Sequence, residues 1–249
     1  MRYSNGMTSH FPTYAPPGLL DGLLELVWLT RCVACEKPGS LLCEDCASNL
    51  PYIDPATACP RCGAPFGSVI CTECYSRTGP VPLSFSAAVC ALSYNETVAR
   101  LIRGYKDLGE RRLAPLLAQV LAATAPKSWL TWADAFTYIP AGCSALRKRG
   151  FDHMEAIALQ VASLIGLPVL SLLEKPEATD QRVLGRVQRY QNLTGAFRVQ
   201  LAMQGACFPE KIIMLDDVLT TGATLDAASS ALLAAGAREV RVATIARVW

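Results

Sequence analysis

The sequence predicts an α/β fold, a mostly parallel sheet flanked by helices, with a small cysteine-rich module in front of it. Three observations carry this reading. Eight of the eleven cysteines fall between Cys32 and Cys74, in four Cys-x-x-Cys pairs. From about residue 81 onward, apolar runs of strand length alternate with runs of helix length. Hydrophobic residues make up 51% of 249 and charged residues 18%, which suffices for a buried core and excludes gross disorder. The formal net charge of +2 is too small to argue for nucleic acid or a membrane surface by itself.

The elements follow in order. Leucines in residues 19–29 are interrupted by Asp21 and Glu25, the pattern of an amphipathic helix that docks on something. Residues 1–31 are therefore assigned to a tail plus this helix, 32–78 to the cysteine module and 81–249 to the α/β domain. The linker is placed at 76–82, which holds Gly79, Pro80 and Pro82. A helix is expected from Asn95, with Arg100, Arg103 and Lys106 along one flank. Strands are expected at 136–139, 168–173, 211–215 and 240–246, and helices at 154–165 and 225–235. Three charge-free runs of 18 residues, 3–20, 78–95 and 156–173, are broken by proline. They read as buried segments rather than membrane spans. No secretory leader is recognisable, so a soluble cytoplasmic protein is expected.

Clustered cysteines in such a protein suggest metal rather than disulfides. The pairs are Cys32 with Cys35, Cys43 with Cys46, Cys59 with Cys62, and Cys71 with Cys74. Two intervening residues let both sulfurs of a turn reach one ion, and four thiolates complete a tetrahedron around Zn²⁺. The simplest pairing joins the first four cysteines on one ion and the last four on a second. An interleaved pairing stays open to the sequence. Closed Cys₄ sites have no open coordination position, so these are structural rather than catalytic centres. The module could dock nucleic acid or protein, or only hold its own segment folded.

The richest stretch for function is residues 212–224. An apolar strand ends in Asp216 and Asp217, Thr220, Thr221 and Gly222 form a short loop, and a helix follows after Ala223 and Thr224. A loop feeding a helix N-terminus presents free backbone N–H groups to phosphate. Gly222 permits close approach, and two acids at the strand end can meet sugar hydroxyls directly or through a divalent ion. The loop is not a Walker A motif, because the lysine and its spacing are missing.

Residues 215–224 resemble the phosphoribosyl pyrophosphate (PRPP) motif of type I phosphoribosyltransferases. With the four cysteine pairs upstream, the chain resembles the ComF family of competence-associated proteins, which includes ComFC- and GntX-like members. Arg147-Lys148-Arg149-Gly150-Phe151-Asp152-His153 is similar to that family's RxRGFNQ segment, with Asp152 and His153 in place of Asn and Gln. Gln181, Arg189, Asn192, Leu193 and Gly195 to Phe197 resemble its Q…R..N..GAF segment. The resemblance implies a type I phosphoribosyltransferase-like domain behind a double zinc ribbon. It implies Asp216 and Asp217 as the catalytic pair facing the ribose, with Mg²⁺ nearby. Thr220, Thr221, Gly222, Ala223, Thr224 and Arg149 would bind phosphate or PRPP. Residues 140–144 would form a pyrophosphate loop, and 175–195, carrying Lys175, Arg182, Arg186 and Arg189, a hood.

Three functional classes follow from that resemblance. One is PRPP or nucleotide binding with a role in single-stranded DNA handling during DNA uptake, alongside a competence helicase or other uptake protein. Arg147, Lys148, Phe151, Lys106 and Arg189 are its nucleic-acid candidates, since single-strand binders combine basic grooves with stacking aromatics. The second is an active Mg²⁺-dependent phosphoribosyltransferase. Thr220 stands where many purine-type relatives have an acid that helps proton transfer at the base, which weakens a purine-salvage role. The third is a PRPP-sensing regulator without turnover.

Overall fold

The protein is described from a computed structural model, which covers residues 29–76, 79–175, 197–200 and 208–249. The helix expected at 19–29 and most of the hood at 175–195, including Arg189, lie outside the described residues. The chain divides into two compact units, Met1–Asn49 and Leu50–Trp249.

In the first unit the chain turns tightly at its first cysteine pair. Cys32 N–H donates to the Lys37 carbonyl at 2.8 Å, and Glu36 N–H donates back to the Cys32 carbonyl at 2.7 Å. Glu36 adopts a positive φ of 65° to close this turn. The second pair leads into a short helix, α1 (Glu44–Ser48), whose first turn carries Glu44 and Asp45 at the positive end of the helix dipole.

The second unit is built on four parallel strands in the order β3 (Ala87–Ser93), β8 (Glu239–Arg247), β7 (Lys211–Leu219), β4 (Ala135–Tyr138). Two small antiparallel pairs accompany them: β1 (Tyr75–Ser76) with β2 (Gly79–Pro80), and β5 (Leu173–Glu174) with β6 (Arg198–Val199). β7 and β8 are the central strands and are buried along almost their whole length, as strands covered on both faces must be. Ile212 and Met214 of β7 and Val240 and Val242 of β8 form one core with Leu225, Ala228 and Leu232 of α7 (Ala223–Ala234). Ile213 and Leu215 alternate to the other face, where α3 (Ala114–Thr124) and α6 (His153–Ile165) pack on the sheet and on each other. α2 (Glu96–Lys106), α4 (Lys127–Trp132) and α5 (Cys143–Arg149) complete the connections.

Local chemistry sets the helix ends. Asn95 caps α2 by accepting from Val98 N–H at 2.9 Å, and Asp152 caps α6 by accepting from Met154 N–H at 2.9 Å and Glu155 N–H at 3.3 Å. Gly150 and Gly166 end α5 and α6 in the left-handed conformation. The charge-free run at 156–173 is thus a helix stopped by Gly166. No helix among the described residues is long and apolar enough to cross a membrane.

Two expectations need correction. The strand expected at 168–173 shrinks to a single parallel bridge, Val169 with Phe136, before β5 begins at Leu173. The strand expected at 211–215 continues through both aspartates to Leu219, because Asp216, Val218 and Leu219 pair with Thr244, Ala246 and Arg247 of β8. Aspartate disfavours strands on average, yet ladder pairing with a central neighbour outweighs that preference here.

The second cysteine group packs with the sheet. Tyr52 bridges Leu92 antiparallel, flanked by Ile53 N–H to the Ala91 carbonyl at 2.9 Å and Ser93 N–H to the Pro51 carbonyl at 2.8 Å. Ile53 and Ala58 join the core on the α7 side of the sheet. The stretch expected as a linker at 76–82 includes part of the β1–β2 hairpin, closed by Val81 N–H to the Cys74 carbonyl at 3.0 Å.

Candidate functional site

The cysteines pair sequentially, which resolves the alternative left open by spacing. Cys32, Cys35, Cys43 and Cys46 form one group and Cys59, Cys62, Cys71 and Cys74 another, the ligand atoms of each lying within 4.8 Å of one another. Backbone amides point at the sulfurs, as in thiolate sites: Cys43 N–H to Cys32 Sγ at 3.4 Å and Cys71 N–H to Cys59 Sγ at 3.3 Å. Within the second group, hydrogen bonding to Cys74 draws the Cys62 thiol down to about 5 despite its burial, whereas burial pushes the Cys71 thiol up to about 11. Four buried thiols cannot ionise together without a cation. A divalent ion removes that conflict, so each group could hold a zinc ion.

The second centre of interest is the carboxyl end of β7. Asp216 and Asp217 are both buried, and Asp217 N–H donates to Asp216 Oδ1 at 2.9 Å. Two helices converge on Asp217. Lys106, the last residue of α2, donates to Asp217 Oδ2 through Nζ. His153, the first residue of α6, places Nε2 3.2 Å from the same oxygen. Tyr105 Oη donates to the His153 carbonyl at 2.6 Å and so ties α2 to α6 directly beneath the site. Burial opposes the charge on Asp217, but the His153 hydrogen bond and the Lys106 ammonium outweigh it and hold the carboxyl well below the usual carboxylate range. Asp216 responds in the opposite direction. Burial first, and then the neighbouring Asp217 charge, push it up to about 8. Adjacent carboxyls with divided protonation are characteristic of functional sites.

Two loops border the pair. After β7, Thr220 and Thr221 lead to Gly222, which has φ +78° and the Phe85 ring behind it, where a Cβ would lie 3.8 Å from Cζ. Gly222 is the N-cap of α7 and offers no side-chain cap, although Ala223 N–H lies 3.4 Å from Thr221 Oγ1. The first turn of a twelve-residue helix thus opens beside the acids, with Ala223 buried and Thr221 and Thr224 partly exposed. Asp226 braces this turn by accepting from Ser84 N–H at 2.5 Å. After β4, the loop at 140–142 is held by Asp152, whose Oδ2 accepts from Ala141 N–H at 2.7 Å while Oδ1 caps α6. Lys175 passes 3.9 Å from where a Gly142 Cβ would sit, and its charge acts on Asp216.

The nucleic-acid candidates among the described residues differ in their surroundings. Arg147 and Lys148 are exposed on α5. Lys106 is an acid partner in the β7 site rather than a surface cation. Phe151 is packed, with Tyr105 edge-on at 5.7 Å and the Arg111 guanidinium 4.4 Å from its ring centroid. Arg149, grouped with the phosphate ligands by resemblance, pairs with Asp107 at 3.2 Å. Sequence reasoning did not assign His153 or Tyr105 to the site. The signal available was the pair Asp152-His153 at the start of a helix that follows a basic Gly-ended one.

No family model matches the chain. Among curated proteins it is similar to competence protein ComFC of Streptococcus pneumoniae, with 29% identity, covering 84% of this chain and 88% of that one. The DNA utilization protein YhgH of Salmonella typhi is 27% identical, covering 87% and 96%. Competence protein F of Haemophilus influenzae is 27% identical over the same shares. A solved structure described as the allosteric regulatory enzyme of purine biosynthesis aligns at 21% identity and TM-score 0.33, over 54% of this chain and 24% of that one.

Proposed function

Because the chain is a homologue of the proteins named ComFC, competence protein F and YhgH, we propose that it is a ComF-like protein binding PRPP or a 5′-phosphorylated nucleotide, with a role in handling single-stranded DNA during DNA uptake. The observation that carries the ligand is the buried acid pair at the end of a central parallel strand, with a threonine–glycine loop opening a helix beside it. Ligands of open α/β sheets bind outside the carboxyl ends of the strands. The 5′-phosphate would sit on the amides and hydroxyls of Thr220 to Thr224, and Asp216 and Asp217 would meet the ribose hydroxyls. Mg²⁺ carried with the pyrophosphate would offset its charge, and the hard oxygens of the acid pair suit that ion. Lys106 and His153 would keep Asp217 ionised and aimed, and Lys175 would add a cation on the Asp216 side. Zinc in the two cysteine groups would be structural.

Calorimetric titration of PRPP with Mg²⁺ into zinc-loaded protein tests the ligand. Saturable binding is expected, lost in the Asp216→Asn, Asp217→Asn double variant. Absence of binding at millimolar PRPP would overturn it.

The DNA role rests on the names of the relatives and on the exposed Arg147 and Lys148. Arg147→Ala with Lys148→Ala is expected to weaken binding of a labelled oligonucleotide about tenfold and to flatten its salt dependence by roughly one to two counterions. An unchanged salt slope would remove α5 from the DNA surface.

A further inference from the structure

We propose that the second cysteine centre sets the shape of the phosphate loop, and that Arg247 is the positioning residue through which it does so. The proposal rests on the reading of Thr220 to Thr224 as a phosphate site. Arg247 is the last residue of β8, only 2% exposed, and stands opposite Leu219 in the ladder. Its guanidinium reaches in two directions. On one side Nη1 donates to the carbonyl of Thr220, the first loop residue, at 2.8 Å, to that of Leu219 at 3.4 Å, and to that of Val248. On the other side Nη2 donates to Glu73 Oε2 at 2.5 Å and lies 3.9 Å from Cys62 Sγ. Glu73 is inside the Cys71–Cys74 pair, and Cys62 is a ligand of the same group.

A buried guanidinium needs neutralising partners, and losing one leaves an uncompensated charge. Here both of those partners belong to the metal-binding turns. The guanidinium is planar and its donors are fixed relative to one another, so moving Glu73 or Cys62 redirects the donor on Thr220. The chain end reinforces the link. Trp249 lies with its ring 5.8 Å from the Arg247 Cζ and 5.3 Å edge-on from Phe66, which sits between the two cysteine pairs of this group. If the turns open when metal leaves, Arg247 loses its neutralising side and the loop loses its clamp. Coupling of this kind is reciprocal, so a ligand on the loop should also retain the metal.

Hydrogen exchange of the amides of residues 221–225, in full-length zinc-loaded protein, tests this. Emptying the second centre with Cys71→Ser and Cys74→Ser should speed loop exchange about tenfold or more, whereas emptying the first with Cys32→Ser and Cys35→Ser should leave it unchanged. Arg247→Lys keeps the charge but loses the fork. It should retain both metals yet show the fast loop and a PRPP affinity weakened about tenfold. Should the Arg247 variant not fold, Glu73→Gln, at a half-exposed position, carries the same expectation with a smaller effect. Loop exchange that ignores both the second centre and the Arg247 or Glu73 substitution would overturn the proposal, even if the wild type binds PRPP. A responsive loop in a wild type that does not bind PRPP would instead retain the coupling and sink the PRPP reading.

Discussion

Asp216→Asn should raise the melting temperature of the ligand-free protein at pH 9, whereas Asp217→Asn should lower it across pH 5–9. The two residues are neighbours on one strand and equally buried, so composition and burial alone predict equal effects. Their partners differ. Asp217 has Lys106 and His153, and truncating it to the amide leaves a largely buried ammonium without its counter-charge. Breaking such a pair costs about 3 kcal/mol, or about 6–12 °C for a chain of this size. Asp216 has burial and then the neighbouring Asp217 charge against its ionisation, which place its folded pKa, about 8, above its ordinary one. An acid whose pKa rises on folding binds its proton more tightly in the folded state. Its stabilising contribution is complete below the ordinary carboxylate pKa and is lost as pH rises through about 8. Asp217 is the mirror case. Its contribution is present above the ordinary carboxylate pKa and is lost only as pH falls toward its depressed value. Asparagine at 216 keeps the acceptor for the Asp217 amide and cannot ionise, so the alkaline loss should vanish, a gain of about 1–3 kcal/mol at pH 9. Thermal unfolding of both variants from pH 5 to 9, in magnesium- and phosphate-free buffer, measures this. Parallel curves for Asp216→Asn and wild type would show that Asp216 is not held protonated.

The same pair marks where sequence reading succeeds and where it stops. The acids, the threonine–glycine loop and the start of the following helix lie within ten residues, so local pattern suffices to find them. The cysteine groups are equally local, because Cys-x-x-Cys spacing is set by the turn that presents two sulfurs to one ion. Lys106 and His153 lie 111 and 64 residues from Asp217, and no local pattern links them. The i+3 spacing of Arg100, Arg103 and Lys106 suggests a common flank. Lys106 is, however, the final residue of its helix, and its chain reaches past the end to the β7 acid. Phe151 reads as a stacking platform from its basic neighbours, yet its ring is already occupied by Tyr105 and Arg111. Arg247 carries no signal in sequence, since a basic residue at a strand end ordinarily faces water. It is buried because the chain from Leu50 onward, second cysteine group included, packs with the strands into one unit.

That packing yields the other large effect. Gly63→Ala should reduce bound zinc from two ions per chain to one, with the first group keeping its ion. The glycine follows Cys62 in the turn, with φ +68°, and its N–H donates to the Cys59 carbonyl at 2.9 Å. A Cβ there would lie 2.7 Å from Cys90 Sγ, 3.0 Å from Cys90 N and 3.3 Å from the Ala88 carbonyl oxygen. Two of those neighbours are backbone atoms of β3, which cannot yield without disturbing the sheet. Cys90 is itself fixed, with Sγ accepting from Thr244 Oγ1 at 3.1 Å and donating to the Cys62 carbonyl at 3.5 Å. The turn must therefore lift off the strand, which moves Cys62 and with it the ligand set. Left-handed strain of about 1 kcal/mol adds to an overpacking cost of about 1–3 kcal/mol. Gly67 provides the control, because it has φ +77° in the same segment and nothing within 4 Å of its Cβ position. Gly67→Ala should bear the backbone strain alone, keep two ions and melt within a few degrees of wild type. Chromophoric titration of chelator-released zinc, alongside thermal unfolding, separates the two variants. Two ions and a matching melt in Gly63→Ala would mean that this turn does not rest on β3, and the route by which the metal centre reaches the sheet would have to lie through Arg247 and Glu73 alone.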